Sequence, residues 1–241
     1  GKSMFFATTR TGHPVVITEM DLRTGKSRRL AHLGGTRIEN IPMGHFANLS
    51  RILSLSSDGR RLLFSATKNH EDALYVFDRK DNRLERLAMP GFMSVSQSQF
   101  SPDGEKIVFS GMKDSISDIY LYDIQTREVS RLTQDPEDDQ MPVFTPEGDA
   151  VIYSSEVTDP LNRRKTSRRL YRLDLKTLSP ERLENLEGES RDPIVSKDGS
   201  KVLFILETDG FSEICELDLK SRAVVQLTRS VGGSFTPAYD S

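Results

Sequence analysis

Long apolar runs are missing from this sequence. The longest, Val202 to Leu206, is five residues, against the roughly 18 that a membrane-spanning helix requires, so no transmembrane segment is expected. Cysteine is nearly absent: Cys215 stands alone, no internal disulfide can form, and no Cys/His spacing resembles a structural zinc site. Neither sign of charge dominates. The 33 basic and 36 acidic residues leave a net charge of -3, unlike the clearly basic domain of a general nucleic-acid binder. The start, Gly1-Lys2-Ser3-Met4, shows no charged-then-apolar leader, which leaves open whether a signal never existed or was removed.

Catalytic signatures are missing too. There is no Gly-x-Ser-x-Gly nucleophile elbow. Thr24-Gly25-Lys26-Ser27 imitates the end of a phosphate loop, but Met20 stands where its first glycine belongs, and the segment reads as a tight turn. Asn48-Leu49-Ser50 is a formal glycosylation sequon that matters only in a eukaryotic secretory pathway. Asp138 and Asp139 are adjacent on what reads as an exposed loop, where nothing tunes a carboxyl as an acid.

What the chain does have is a repeat. Its clearest copy runs Ser98 to Ser110 through Phe100-Ser101-Pro102-Asp103-Gly104, then Asp118-Ile119-Tyr120-Leu121-Tyr122-Asp123, then Val129 to Thr133. Each run is short, β-branched or aromatic, and bounded by turn residues. Tight turns recur at Asp58-Gly59, Asp103-Gly104, Glu147-Gly148 and Asp198-Gly199, where glycine accepts the positive φ of such hairpins. Five residues after each glycine stands an aromatic: Phe64, Phe109, Tyr153 and Phe204. The third strand ends in aspartate at Asp21, Asp78, Asp123, Asp174 and Asp218; a side chain opening a β-turn explains these better than a metal site. The fourth strand ends in leucine at Leu30, Leu87, Leu132, Leu183 and Leu227, at intervals of 44 to 57 residues, in the range of four-stranded propeller blades.

This pattern predicts an all-β fold: one β-propeller domain over 1–241 with five four-stranded antiparallel blades, at about 232–241 plus 1–30, 48–88, 94–133, 139–183 and 190–228. Ser234-Phe235-Thr236-Pro237 reads as a first strand, strand A, that joins strands B to D of the N-terminus and closes the ring. The quoted motifs Phe100 to Gly104, Asp118 to Asp123 and Arg131-Leu132-Thr133 resemble the repeat of TolB-type β-propellers over essentially the whole chain. Related blades occur in prolyl-oligopeptidase-type peptidases and oligogalacturonate lyases, and TolB itself usually has six blades and an added N-terminal domain. The resemblance implies a non-catalytic scaffold that binds a protein or peptide in a bacterial periplasmic or secreted setting; a monomer without a cofactor is expected.

In such a blade the A–B and C–D turns share one face, while the varied B–C and D–A loops share the other, where binding is expected. Candidate partner-binding residues are Arg51, Gln97, Gln140, Arg191 and Asp192 at the mouth of the central channel, Asp138 and Asp139 on an acidic D–A loop, and Arg163 and Arg164 on a basic B–C insertion. A two-signed face of this kind suits protein recognition. His13, His32, His45 and His70 fall on the same face and form a weak metal candidate, without ligand spacing. Three alternatives stay open: the propeller of a larger peptidase, a metal-dependent propeller lyase, and a repeat fragment or engineered ring.

Overall fold

A computed structural model describes residues 3–8, 16–30, 53–68, 70–158, 166–230, 233–234 and 237–239. These form a five-bladed β-propeller in which every strand pairs antiparallel with the next in its blade. The first blade shows β1 (Ser3–Thr8), β2 (Val16–Asp21) and β3 (Ser27–Arg29). The second has β4 (Leu53–Leu55), β5 (Arg61–Lys68), β6 (Glu71–Asp78) and β7 (Arg83–Ala88), and the third β8 (Ser94–Phe100), β9 (Lys106–Lys113), β10 (Ile116–Asp123) and β11 (Val129–Arg131). The fourth contains β12 (Asp139–Phe144), β13 (Ala150–Thr158), β14 (Thr166–Asp174) and β15 (Pro180–Arg182), and the fifth β16 (Glu189–Val195), β17 (Lys201–Thr208), β18 (Phe211–Asp218) and β19 (Val224–Gln226).

The turns form as their residues predict. Asp21 Oδ1 accepts the backbone N–H of Arg23 and Thr24 at 2.9 and 2.8 Å, and Asp78, Asp123, Asp174 and Asp218 do the same in their own turns. The A–B glycines Gly59, Gly104, Gly148 and Gly199 all sit near φ +70°.

Residues alternate between the two faces of a strand, so each central sheet packs against both neighbours. Leu62 and Phe64 of β5 join Ile17 and Leu30 of the first blade, while Leu63 between them joins Leu87, Phe100 and Phe109 toward the third. The strand-B aromatics are cross-strand partners of strand-C aromatics: Phe64 with Tyr75, Phe109 with Tyr120 and Tyr153 with Tyr171, their rings stacked at 5.6, 5.6 and 5.8 Å. In the fifth blade buried Cys215 takes the tyrosine's place opposite Phe204.

Leu30, Leu87, Leu132 and Leu183 are buried between successive blades, but Leu227 is 52 % exposed. Among the described residues four apolar clusters join successive blades, and none joins the fifth to the first. Of the expected closing strand, Ser234 donates its N–H to the Ser212 carbonyl and Tyr239 lies beside Glu216, both in the fifth blade. Phe235 and Thr236 lie outside the described residues.

Candidate functional site

The innermost strands of blades three, four and five each carry a bulge, where register shifts between Ser96 and Gln99, Gln140 and Val143, and Arg191 and Ile194. At each bulge a non-glycine residue takes positive φ: Gln97 at 51°, Met141 at 59° and Asp192 at 53°. Such a conformation persists where surrounding contacts impose it. Here the contacts run both within a blade and between blades. Gln97 Oε1 accepts the Ser110 hydroxyl at 2.8 Å and the Met141 N–H at 3.0 Å, and Asp192 donates its N–H to Met141 Sδ at 3.2 Å. Gln97 and Asp192, expected at the channel mouth, thus occupy equivalent linking positions, while Gln140 and Arg191 each precede the bulge by one residue.

Among the described residues two clefts open on the face of the B–C and D–A loops. One, of about 570 Å³, lies between the β9–β10 hairpin, the connection Pro136 to Asp138, and Arg168, Glu189 and Arg191. The other, of about 640 Å³, lies between Thr158 and Thr166 of the fourth blade and Glu187 to Glu189 and Thr208 to Gly210 of the fifth. Thr158 and Glu189 line both, so the clefts adjoin.

Their ionic groups are unevenly satisfied. Arg168 donates to Asp138 Oδ2 at 2.8 Å and approaches Glu156 at 3.3 Å; Asp138 also accepts the Gln140 side-chain amide at 2.8 Å and the Ser117 N–H at 3.1 Å, tying blade four to blade three. Arg191 pairs with Glu207 at 2.5 Å and donates to the Ser212 hydroxyl at 3.1 Å. Arg169 donates to the carbonyl oxygen of Gly188, and Arg182 to that of Glu184. Gly188 has φ 105°, and a Cβ there would collide with the Glu207 carbonyl oxygen. Burial, together with Asp135 and Glu156 nearby, raises the pKa of Glu137.

Asp139 corrects the expectation of an exposed carboxylate pair. It is the first residue of β12, so it faces opposite to Asp138 and is fully buried between blades three and four. Its carboxylate oxygens have no hydrogen-bond partner of normal geometry. Desolvation pushes its pKa up to about 7, the hydroxyls of Ser155 and Thr133 offset this in part, and the charges of Asp135 and Asp118 add to it. Asp118 is also buried and raised by desolvation, against the opposing pull of Arg131 at 2.7 Å.

Arg51, Arg163, Arg164, His13, His32 and His45 lie outside the described residues. His70 occupies the β5–β6 turn at φ 62°. Among the described residues no three His, Cys, Asp or Glu side chains are grouped to hold a metal ion.

Comparison with known proteins matches this architecture. The family model described as the TolB beta propeller domain matches residues 52–159. Over those residues the repeat matches the TolB β-propeller type. The crystal structure of TolB from Acinetobacter baumannii superposes with a TM-score of 0.73 at 22% identity, covering 94% of this chain and 53% of that one. A structure described as TolB from Agrobacterium tumefaciens gives 0.68 at 20% identity, covering 88% and 73%. An oligogalacturonate lyase in complex with manganese gives 0.57 at 13%, covering 95% and 74%. The chain spans about half the length of the Acinetobacter protein. At these identities the superpositions establish the fold alone. No curated protein sequence matches the chain. No described helix is long and apolar enough to cross a membrane.

Proposed function

We propose that this TolB-type propeller is a non-catalytic scaffold that binds a protein or peptide partner through the face bearing its B–C and D–A loops. The observation that carries the reading is the contrast between faces: the C–D turns are closed by their own aspartates, whereas the two adjoining clefts open on the other side. Gln97, Gln140, Arg191 and Asp192 support that side from the inner strands, and Asp138 forms part of a cleft wall. By family resemblance the setting is the bacterial periplasm or the secreted space, and the protein acts as a monomer.

Orientation-controlled capture tests this. Cys215 is buried, with its thiol pushed up to about 11, so a cysteine introduced by Lys220→Cys on a C–D turn can be biotinylated selectively. Asp209→Cys places the tether in a cleft instead. From a native cell-envelope extract, a stoichiometric protein is expected on the Lys220→Cys support and not on the Asp209→Cys support. Equal capture on both, or none on either, refutes the reading.

A further inference from the structure

The groove formed by the two clefts has an electrostatic bias that specifies its occupant further. Among the described residues, seven carboxylates and four arginines line it. All four arginines are already engaged, Arg168 and Arg191 by carboxylates and Arg169 and Arg182 by backbone carbonyls. Glu137, Glu187, Glu189 and Asp209 have no cationic partner among the described residues. Among the described residues the groove therefore offers carboxylates while its arginines are engaged, which favours positive ligands over phosphate or carboxylate ones.

One exposed apolar side chain lines the groove and another follows a lining residue in the chain. Ile116 lines the first cleft and is 37% exposed; Phe211, next to Gly210 of the second, is 55% exposed. A small polycation would use the carboxylates and leave these two in water. A polypeptide satisfies both, since interfaces combine apolar anchors with charged groups that set register.

We infer that the groove receives a basic, extended segment of the partner protein, with lysine or arginine side chains meeting Glu137, Glu187, Glu189 and Asp209 and apolar residues resting on Ile116 and Phe211. This rests on the reading of the same face as a partner-binding surface.

The probe is a fluorescein-labelled peptide of lysines interspersed with leucines, read by anisotropy, beside the same peptide with glutamate for lysine. Glu137→Gln with Glu189→Gln removes two charges from the groove, and Glu105→Gln with Glu128→Gln removes two from the opposite face, where both side chains are exposed. Wild-type protein is expected to bind the lysine peptide, more weakly as salt rises, and to ignore the glutamate peptide. The groove variant is expected to lose about tenfold in affinity and the opposite-face variant less than about twofold. Far-UV circular dichroism and thermal unfolding confirm that both variants stay folded. Equal losses in the two variants, absence of lysine-peptide binding, or a preference for the glutamate peptide overturns the inference. A partner captured in the orientation experiment that binds the groove variant undiminished also overturns it, while the broader reading of the face stands.

Discussion

Replacing Asp139 by asparagine should stabilise this protein at neutral and alkaline pH and do little in acid. The buried carboxyl has its pKa raised from 3.8 to about 7. At ~1.36 kcal/mol per unit, roughly three units correspond to an upper bound of about 4 kcal/mol between the protonated and ionised forms. The sign follows from proton binding. The folded state holds this proton more tightly than the unfolded chain, so the favourable contribution is fully present below about pH 4 and is lost as pH rises through about 7. Asp118, raised for the same reason, acts in the same direction. The turn aspartates Asp78 and Asp198, held down to about 2 by hydrogen bonds, act oppositely. Their contribution is present above about pH 4 and is lost as pH falls toward about 2.

Asp139→Asn has nearly the shape of the protonated acid and cannot ionise. Its expected gain over wild type is on the order of 2–4 kcal/mol at about pH 8, vanishing below about pH 4. Urea unfolding at a series of pH values measures it, followed by far-UV circular dichroism because the chain has no tryptophan. Asp138→Asn is the control: it weakens the pair with Arg168 at 2.8 Å and should destabilise without the alkaline gain. If Asp139→Asn is instead destabilising by the same amount at every pH, the carboxylate is stabilised as a charged acceptor and the reasoning fails.

Two further perturbations follow from packing and backbone geometry. Leu132→Ala should cost about 2–4 kcal/mol, whereas Leu227→Ala, at the same repeat position but half exposed, should cost about 1 kcal/mol or less; equal costs in chemical denaturation would mean that Leu227 is covered in solution. Gly188→Ala meets both a φ of 105° and the Glu207 carbonyl, so it should lower stability by about 2 kcal/mol or more and, by moving the carbonyl that Arg169 holds, reshape the second cleft; an unchanged melting temperature would refute this.

Features set by neighbours in the chain were legible from residues alone. An aspartate needs only the next three residues to close its turn, and an aromatic five positions after a turn glycine needs only strand alternation to point inward. Both kinds of inference hold in the blades where those residues are described. Asp139 differs because Asp138 and Asp139 are chemically alike and adjacent. Which one faces the groove and which enters the packing depends on where β12 begins, and a single step of register exchanges the two faces of a strand. The bulges of the inner strands were equally hidden from a local reading. Alignment to the turn placed Gln97 and Asp192 near the channel, and the structure adds that both bond across blades to Met141 at its bulge. The groove is less legible still, because its walls come from three blades. No local window of sequence contains Glu137, Glu189 and Asp209 together. Their convergence on one groove, and the engagement of the described arginines around them, exists only once the blades are stacked, so its chemistry follows from the fold rather than from any motif.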